Sequence, residues 1–211
     1  MVFGDDAGER ILACCEILSN SYIKSFFSNK NMNIATVRAG NCIGGGDWKK
    51  DRIVKDCLET FFKNKNLKLR NPGAQRPWQH VIEPLTGYLM LSEKLCSKQG
   101  NKFSGAWNFG PNLRQNMKVL DLATLIKKTI NSKSKIIIDK KDKKFSNKNF
   151  RVFESKYLSI NSKKALDKLS WRSRLTIKSS VNLTVAWHKA FILKKDLFKV
   201  SMEQIKRYIE N

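Results

Sequence analysis

Residues 33 to 48 read "NIATVRAGNCIGGGDW", and this stretch decides the fold class. Its first half combines β-branched and small apolar residues and ends at Gly40, which predicts a short strand. Three consecutive glycines then form a loop in which the backbone can turn tightly or approach another group closely. The preceding residues, 8 to 29, carry apolar side chains at helical spacing. A helix, a strand and a glycine-rich loop in this order predict an α/β fold.

The remainder of the chain continues this alternation. The first predicted helix is amphipathic, and its apolar positions are Ile11, Leu12, Cys15, Leu18, Tyr22 and Phe26. Further helices are predicted at residues 51–64, 80–98, 117–131, 161–171, 176–193 and 200–210. Short strands are predicted at residues 66–70, 105–111, 134–139 and 157–160. The lysine-rich stretch 140–149 is predicted to be a disordered loop.

Composition limits the classes of protein that the chain can represent. Of its 211 residues, 41% are hydrophobic and 28% charged, which is enough for one core with a small attached lobe. No window approaches the roughly 18 consecutive apolar residues of a membrane span, so we predict no membrane partner. The five cysteines contain no Cys-x-x-Cys pair and are accompanied by only two histidines, so we expect no metal site. Scattered thiols and an acidic start without a secretory signal predict a reducing, cytoplasmic location.

The net charge of +23 raises nucleic-acid binding as an alternative from a different functional class. Against it, the lysines are spread along the whole chain and outnumber the arginines. Arginine is the usual residue for forked contacts to phosphates and bases. We therefore interpret most of the charge as a solvated surface and expect no specific nucleic-acid partner.

Three motifs follow or precede predicted strands and could line a cleft. Asn41 follows the first strand, Asn108 stands near the end of "GAWNFGP", and Arg76 and Trp78 belong to "RPWQHV". Ligands of open α/β sheets bind beyond the carboxyl ends of the strands, and an arginine there can grip a phosphate through two hydrogen bonds. Alternatively, these residues form tight turns, a surface arginine and a core tryptophan. His80 has no usable catalytic partner nearby in sequence and is interpreted as structural.

Together and in order, three strings resemble the CDP-glucose 4,6-dehydratase family of extended short-chain dehydrogenases/reductases. They are "ATVRAGNCIGGGDWKKDRIVKD" (35–56), "RNPGAQRPWQHVIEPLTGYLMLSEKL" (70–95) and "SGAWNFGPN" (104–112). The resemblance covers roughly residues 13 to 200. It implies the carboxyl-terminal half of a Rossmann-like doubly wound sheet with a small α+β substrate-binding lobe. Residues 1–45 and 78–111 would be the remaining Rossmann part, and 46–77 and 112–211 the nucleotide-sugar-binding lobe.

The resemblance also implies an activity, a substrate and a cofactor. The family consists of NAD-dependent lyases that remove water from CDP-glucose to give a 4-keto-6-deoxy sugar, in lipopolysaccharide biosynthesis. The diphosphate would be contacted by Arg76, with Asn41 and Asn108 nearby. Trp48 and Trp78 complete the predicted substrate-binding set, and Ala39 and Gly40 would approach the NAD. The intact family further implies a homo-oligomer.

The sequence departs from the family pattern at two essential motifs. It contains no Gly-x-x-Gly-x-x-Gly turn for the NAD pyrophosphate and no Tyr-x-x-x-Lys pair. Aligned with the family, Gly8 takes the place of the tyrosine and Leu12 that of the lysine. Lys55 also replaces a usual proline. We therefore expect a truncated, inactive homologue, with no catalytic residue assigned; the alternative is a non-catalytic nucleotide-sugar-binding or assembly remnant.

Overall fold

The structure is a computed structural model that describes residues 7–27, 32–49, 51–112, 115–138 and 155–210. The side chains of residues 7–10 and 12 are outside this description. The predicted lysine-rich loop at 140–149 also lies outside the described residues.

Helices and short strands alternate through these residues. The helices are α1 (Ala7–Tyr22), continued by a π-helical turn at Ile23–Phe27, α2 (Ile53–Phe62), α3 (Ile82–Leu95), α4 (Val119–Ile130), α5 (Lys163–Leu169), α6 (Ile177–Ile192) and α7 (Leu197–Glu210). The strands are β1 (Ala35–Ala39), β2 (Asn41–Ile43), β3 (Leu67–Leu69), β4 (Gln75–Arg76), β5 (Trp78–His80), β6 (Gly105–Phe109), β7 (Met117–Lys118) and β8 (Ile136–Ile138). A 3₁₀ turn at Gly100–Phe103 precedes β6.

The opening stretch forms one extended segment that changes partner at Gly40. Before it, β1 runs parallel to β6; after it, β2 runs parallel to β5. The Gly40 N–H still donates to the Phe109 carbonyl at 3.2 Å, whereas the Asn41 N–H donates to the Pro77 carbonyl at 2.8 Å. A Cβ built on Gly40 would stand 2.5 Å from that Pro77 oxygen, so only glycine fits this crossing point. With β3 parallel to β8, the mixed α/β architecture is confirmed.

Two apolar clusters form the core. The first joins α2, α4 and α6 to the strands β2, β3 and β5, and is centred on fully buried side chains such as Phe61 and Leu122. The second joins β6 to α3 and α5 around Trp107, Phe109 and Trp171. The proposed division into a Rossmann part and a lobe stays a prediction. Ile43, at the end of β2, belongs to the predicted Rossmann part. It nevertheless packs in the first cluster together with α2 and α4 residues of the predicted lobe.

The amphipathic helix at the start of the chain is confirmed, but its described apolar face is not buried. The side chains of Ile11, Leu18, Tyr22 and Phe26 are more than half exposed. Instead, α1 meets β1 through a polar residue: the Glu16 carboxylate accepts from the Thr36 hydroxyl at 3.0 Å. The apolar stripe thus has no described element packed over it.

Two details, in the segments at 157–160 and 117–131, differ from the sequence-based expectations. Of the predicted strand at 157–160, only Tyr157 pairs, in an isolated bridge with Gln75. The predicted helix at 117–131 begins as strand β7, because its first residues pair with β4. For α5, Asn161 provides the side-chain contact to the helix start, accepting from the Lys163 N–H at 2.8 Å, while the Ser162 hydroxyl accepts from the Gly110 N–H instead.

Candidate functional site

The segment "RPWQHV" is held against β7 by the backbone pairing of Arg76 and by the side chain of Trp78. Arg76 pairs with Met117 in the β4–β7 ladder, and its Nη1 donates to the Gln75 carbonyl at 2.9 Å. The Trp78 indole N–H donates to the Met117 carbonyl at 3.1 Å. Arg76 is 7% and Trp78 6% exposed, which makes Trp78 a core residue, as one of the two sequence interpretations held. Arg76 is equally buried, so it is not the surface arginine that the same interpretation expected.

Asn41 lies next to this segment. It is the direct partner of Trp78 in the parallel β2–β5 ladder, and its side chain is half-buried. The fold thus brings Asn41, Trp78 and the neighbouring Arg76 into one region, and their contact with a substrate stays a prediction.

Asn108 lies in β6, which pairs with β1, the strand that precedes Asn41 in the same extended segment. It pairs with Arg38, three residues before Asn41, which corresponds to about 10 Å along an extended chain. Its Nδ2 donates to the Asn161 carbonyl at 3.2 Å. Its Oδ1 is buried and has no hydrogen-bond partner among the described residues. Asn108 therefore faces the segment before α5 and keeps one acceptor available.

Asn116 has the same arrangement and was missed by sequence reasoning. Its Nδ2 donates to the Leu158 carbonyl at 3.0 Å, and its Oδ1 is buried without a partner among the described residues. Asn116 directly precedes β7, on which Arg76 and Trp78 rest. No local pattern marks this asparagine, because its relation to the site comes from pairing between distant segments.

Trp48 occupies a different environment from the other predicted site residues. Its ring lies 4.6 Å from that of Phe191 and 5.6 Å from that of His188, both on α6. None of its ring contacts in the described part of the chain reaches Trp78. It is 44% exposed and lies beside α6.

The three consecutive glycines are explained by packing within the protein. A Cβ built on Gly45 would fall on the indole ring of Trp187 in α6, and one built on Gly44 would approach Val81 at 2.9 Å. Gly46 adopts a φ of +81°, in the left-handed region that favours glycine. Of the two sequence interpretations, a tight turn accounts for the loop without a ligand.

His80 is a buried, neutral side chain. It is 4% exposed, and burial lowers its pKa to about 4. Its Nδ1 accepts from the Ile82 N–H at 3.3 Å, so the ring proton resides on Nε2. That Nε2 has no hydrogen-bond partner among the described residues. The structural role expected from the sequence fits this burial.

A second residue missed by sequence reasoning fixes the helix that follows this segment. Glu83, in the first turn of α3, is fully buried. Its carboxylate accepts from the Arg174 N–H at 2.9 Å, from the Leu175 N–H, and from the Tyr208 hydroxyl at 2.8 Å. Its partners lie about 90 to 125 residues away, so no sequence motif could identify them.

The described residues include neither a metal-binding cluster nor a membrane-spanning helix. In this part of the chain, no group of three or more His, Cys, Asp or Glu side chains is placed to hold a metal ion. Nor is any described helix both long and apolar enough to cross a membrane.

Comparison with known proteins relates the chain to one enzyme family. No protein-family model matches it. A curated protein, the CDP-glucose 4,6-dehydratase of Salmonella typhimurium (strain LT2), is 34% identical over 211 residues, which cover 98% of this chain and 56% of that protein. This chain is homologous to CDP-glucose 4,6-dehydratase. It spans little more than half of the length of that relative.

Solved structures show that the fold is the one shared by these sugar-nucleotide enzymes. The UDP-glucuronic acid 4-epimerase of Bacillus cereus, in complex with UDP-glucuronic acid and NAD, is 17% identical with a TM-score of 0.68, covering 87% of this chain and 52% of that one. The dTDP-glucose 4,6-dehydratase of Bacillus anthracis, in complex with NAD, is 15% identical with a TM-score of 0.64, covering 90% and 54%. The expected fold, the carboxyl-terminal portion of a Rossmann-like epimerase/dehydratase, is confirmed.

Proposed function

We propose that this chain forms the nucleotide-sugar-binding portion of an enzyme of the CDP-glucose 4,6-dehydratase type, and that its ligand is CDP-glucose. The observation that carries this proposal is the homology to CDP-glucose 4,6-dehydratase, which extends over 98% of the chain and therefore includes β2, β4, β5 and β7. The site that these strands bring together contains Arg76, Asn41 and Trp78. A cytoplasmic location and homo-oligomeric assembly accompany this proposal as predictions.

The chemistry of these residues suits a sugar linked to a diphosphate. A guanidinium supplies a planar fork of donors that matches phosphate oxygens, and it stays charged even in a buried position. The carboxamides complement it, because Asn108 and Asn116 each keep a buried oxygen without a partner among the described residues. Such acceptors suit the hydroxyl and amino donors of a sugar or a base. Trp78 holds the segment in place through its bond to β7.

Among the predicted substrate-binding residues, Trp48 lies apart from the others. Within the described part of the chain, its ring contacts are with the α6 residues Trp187, His188 and Phe191. We therefore base the proposed pocket on the other four residues and on Asn116.

The residues present do not supply the usual seat for NAD. The relatives' fold implies this cofactor, and NAD would provide the acceptor and donor of hydride in the dehydratase reaction. However, the 211 residues contain no Gly-x-x-Gly-x-x-Gly turn. The space beside Gly40 is taken by the Pro77 carbonyl and the side chains of Pro111 and Gln79. Contact of Ala39 and Gly40 with NAD stays a prediction, and no reaction step is derived through it.

Titration calorimetry with CDP-glucose tests the proposal. We expect Arg76→Ala to weaken binding by roughly 10- to 100-fold, since a charged hydrogen bond contributes about 1.5 to 3 kcal/mol. Arg76→Lys should restore only part of the affinity, because an ammonium group cannot form the planar double bond to a phosphate.

Arg70→Ala is the matched control. Arg70 is an exposed arginine in the same part of the chain, and its Nη2 contacts Asp51 at 3.1 Å. Thermal melts followed by circular dichroism should show that each variant is folded under the conditions of the titration. Equal loss of affinity in the Arg70 and Arg76 variants, with strong weakening by salt, would instead indicate diffuse charge attraction and favour the nucleic-acid alternative.

A further inference from the structure

The connection between α6 and α7 exposes an unusual amount of apolar surface. We call residues 191 to 199 the α6–α7 corner. Its exposed apolar side chains are Phe191 at 44%, Ile192 at 48%, Leu193 at 56% and Phe198 at 75%. Trp48, also 44% exposed, extends this surface, because its ring centroid lies 4.6 Å from that of Phe191. Apolar groups that are exposed together in this way mark an interaction surface rather than scattered surface residues.

Positive charge surrounds these apolar side chains. Lys189 precedes the corner, Lys194 and Lys195 lie within its turn, and Lys199 follows Phe198; all four side chains are exposed. The one acidic residue of the corner, Asp196, has a structural role, since its Oδ1 accepts from the Lys199 N–H at 3.1 Å at the start of α7. The corner is therefore both apolar and basic.

The backbone of the corner is fixed by the two helices. The Lys195 N–H donates to the Ala190 carbonyl at 3.0 Å, and Lys194 turns the chain in the left-handed region with a φ of +53°. Trp187 stacks on Phe191 with an angle of 5° between the rings, and its Nε1 donates to the Ser201 hydroxyl in α7 at 3.0 Å. The backbone that carries the exposed side chains is thus held in one conformation.

We propose that the α6–α7 corner docks on the surface of an anionic lipid bilayer. Aromatic and aliphatic side chains would enter the boundary between headgroups and acyl chains, and the lysines would reach the anionic headgroups with their long stems. The charge is complementary, because the whole chain carries +23, and three of its lysines lie within the corner while Lys189 directly precedes it.

Two other classes of partner fit this surface less well. The centre of a protein–protein interface is depleted in lysine, whereas here lysines lie between the apolar residues. Nucleic-acid surfaces favour arginine with aromatic stacking, whereas the corner contains no arginine and includes the aliphatic Ile192 and Leu193. The expectation of no membrane partner rested on the missing membrane span, and contact with a bilayer surface needs none.

Flotation in a density gradient tests the proposal, because aggregated protein does not float. The 211-residue chain is mixed with vesicles of phosphatidylcholine alone, or of phosphatidylcholine and phosphatidylglycerol in equal parts. We expect flotation with the anionic vesicles and little with the neutral ones. Lys194→Gln combined with Lys195→Gln should weaken the binding roughly 10- to 30-fold. Leu193→Ser combined with Phe198→Ser should weaken it by roughly 10-fold or more.

Matched controls remove the same groups elsewhere. Lys133→Gln with Lys135→Gln removes two exposed charges beside β8, and Leu89→Ser removes an exposed apolar side chain of α3. Both controls should float like the parent chain. Equal losses in the controls, or no flotation with anionic vesicles, would overturn the proposal. It would also be overturned if the Leu193/Phe198 variant abolished self-association or binding of single-stranded DNA while leaving flotation unchanged.

Discussion

At the scale of single residues, Glu83 connects three segments that are distant along the chain. Its carboxylate ties the start of α3 to the segment before α6 and to Tyr208 near the end of α7. The Arg174 guanidinium lies over the Tyr208 ring at 5.1 Å and donates to the Tyr208 carbonyl at 3.3 Å. Because β5 joins α3 through Val81 alone, this connection also holds the segment that carries Trp78.

Tyr208 predicts a loss of stability at high pH. Burial, reinforced by the hydrogen bond to Glu83, raises the pKa of Tyr208 to about 12. In the unfolded chain a tyrosine has a pKa of about 10. The folded state therefore favours the neutral phenol, and this contribution is present below about pH 10 and is lost as the pH rises towards about 12. Urea unfolding across this range should show a smaller pH dependence in Tyr208→Phe than in the parent chain.

An exposed tyrosine provides the control for this measurement. Tyr157 is 55% exposed, so Tyr157→Phe should keep the parent's pH dependence. Part of the dependence will persist in every variant, because burial also raises the pKa of Tyr88. Indistinguishable slopes in the Tyr208→Phe variant and the parent would contradict the assignment.

At the scale of elements, the glycine loop after β2 is fitted against α6. The lack of a side chain at Gly45 lets the loop lie on the Trp187 indole. We expect Gly45→Ala to lower the free energy of unfolding by about 1 to 3 kcal/mol, the usual cost of overpacking a close contact. Gly73→Ala is the matched control, because a Cβ there meets nothing within 4 Å. Denaturant unfolding of both variants measures the change in the free energy of unfolding. Equal changes would show that the loss comes from backbone flexibility rather than from packing of the loop on Trp187.

At the scale of the whole molecule, the chain carries the proposed nucleotide-sugar site but lacks the family's glycine-rich NAD turn and its Tyr-x-x-x-Lys pair. We expect these 211 residues, incubated with CDP-glucose and NAD, to give no 4-keto-6-deoxy sugar. Without the Tyr-x-x-x-Lys pair, no side chain of the family's pattern is present to take the C4 hydroxyl proton. Chromatography of the nucleotide sugars should detect product only with the Salmonella typhimurium CDP-glucose 4,6-dehydratase, run in parallel. Formation of product by the chain itself would refute this expectation.

Much of the fold followed from local patterns, and the candidate site followed from a resemblance. Helical spacing located α1, α2, α3, α4, α5, α6 and α7, and the stretch from residue 33 to 48 located β1 and its glycine loop. The order of "RPWQHV" and "WNFGP" indicated the family before any contact was known. By contrast, sequence reasoning missed Asn116 and Glu83, because their hydrogen-bond partners lie more than 40 residues away along the chain.

The sequence by itself determined the α/β class and the resemblance to CDP-glucose 4,6-dehydratase. These conclusions rest on periodicity and on strings of neighbouring residues, which are local properties. Only the tertiary structure decided that the Gly45 loop packs on Trp187, that Ile11 and Leu18 of α1 stay exposed, and that Trp48 packs against α6. The physical reason is that burial depends on which distant surface covers a side chain, and a one-dimensional pattern shows which face is apolar but not what packs against it.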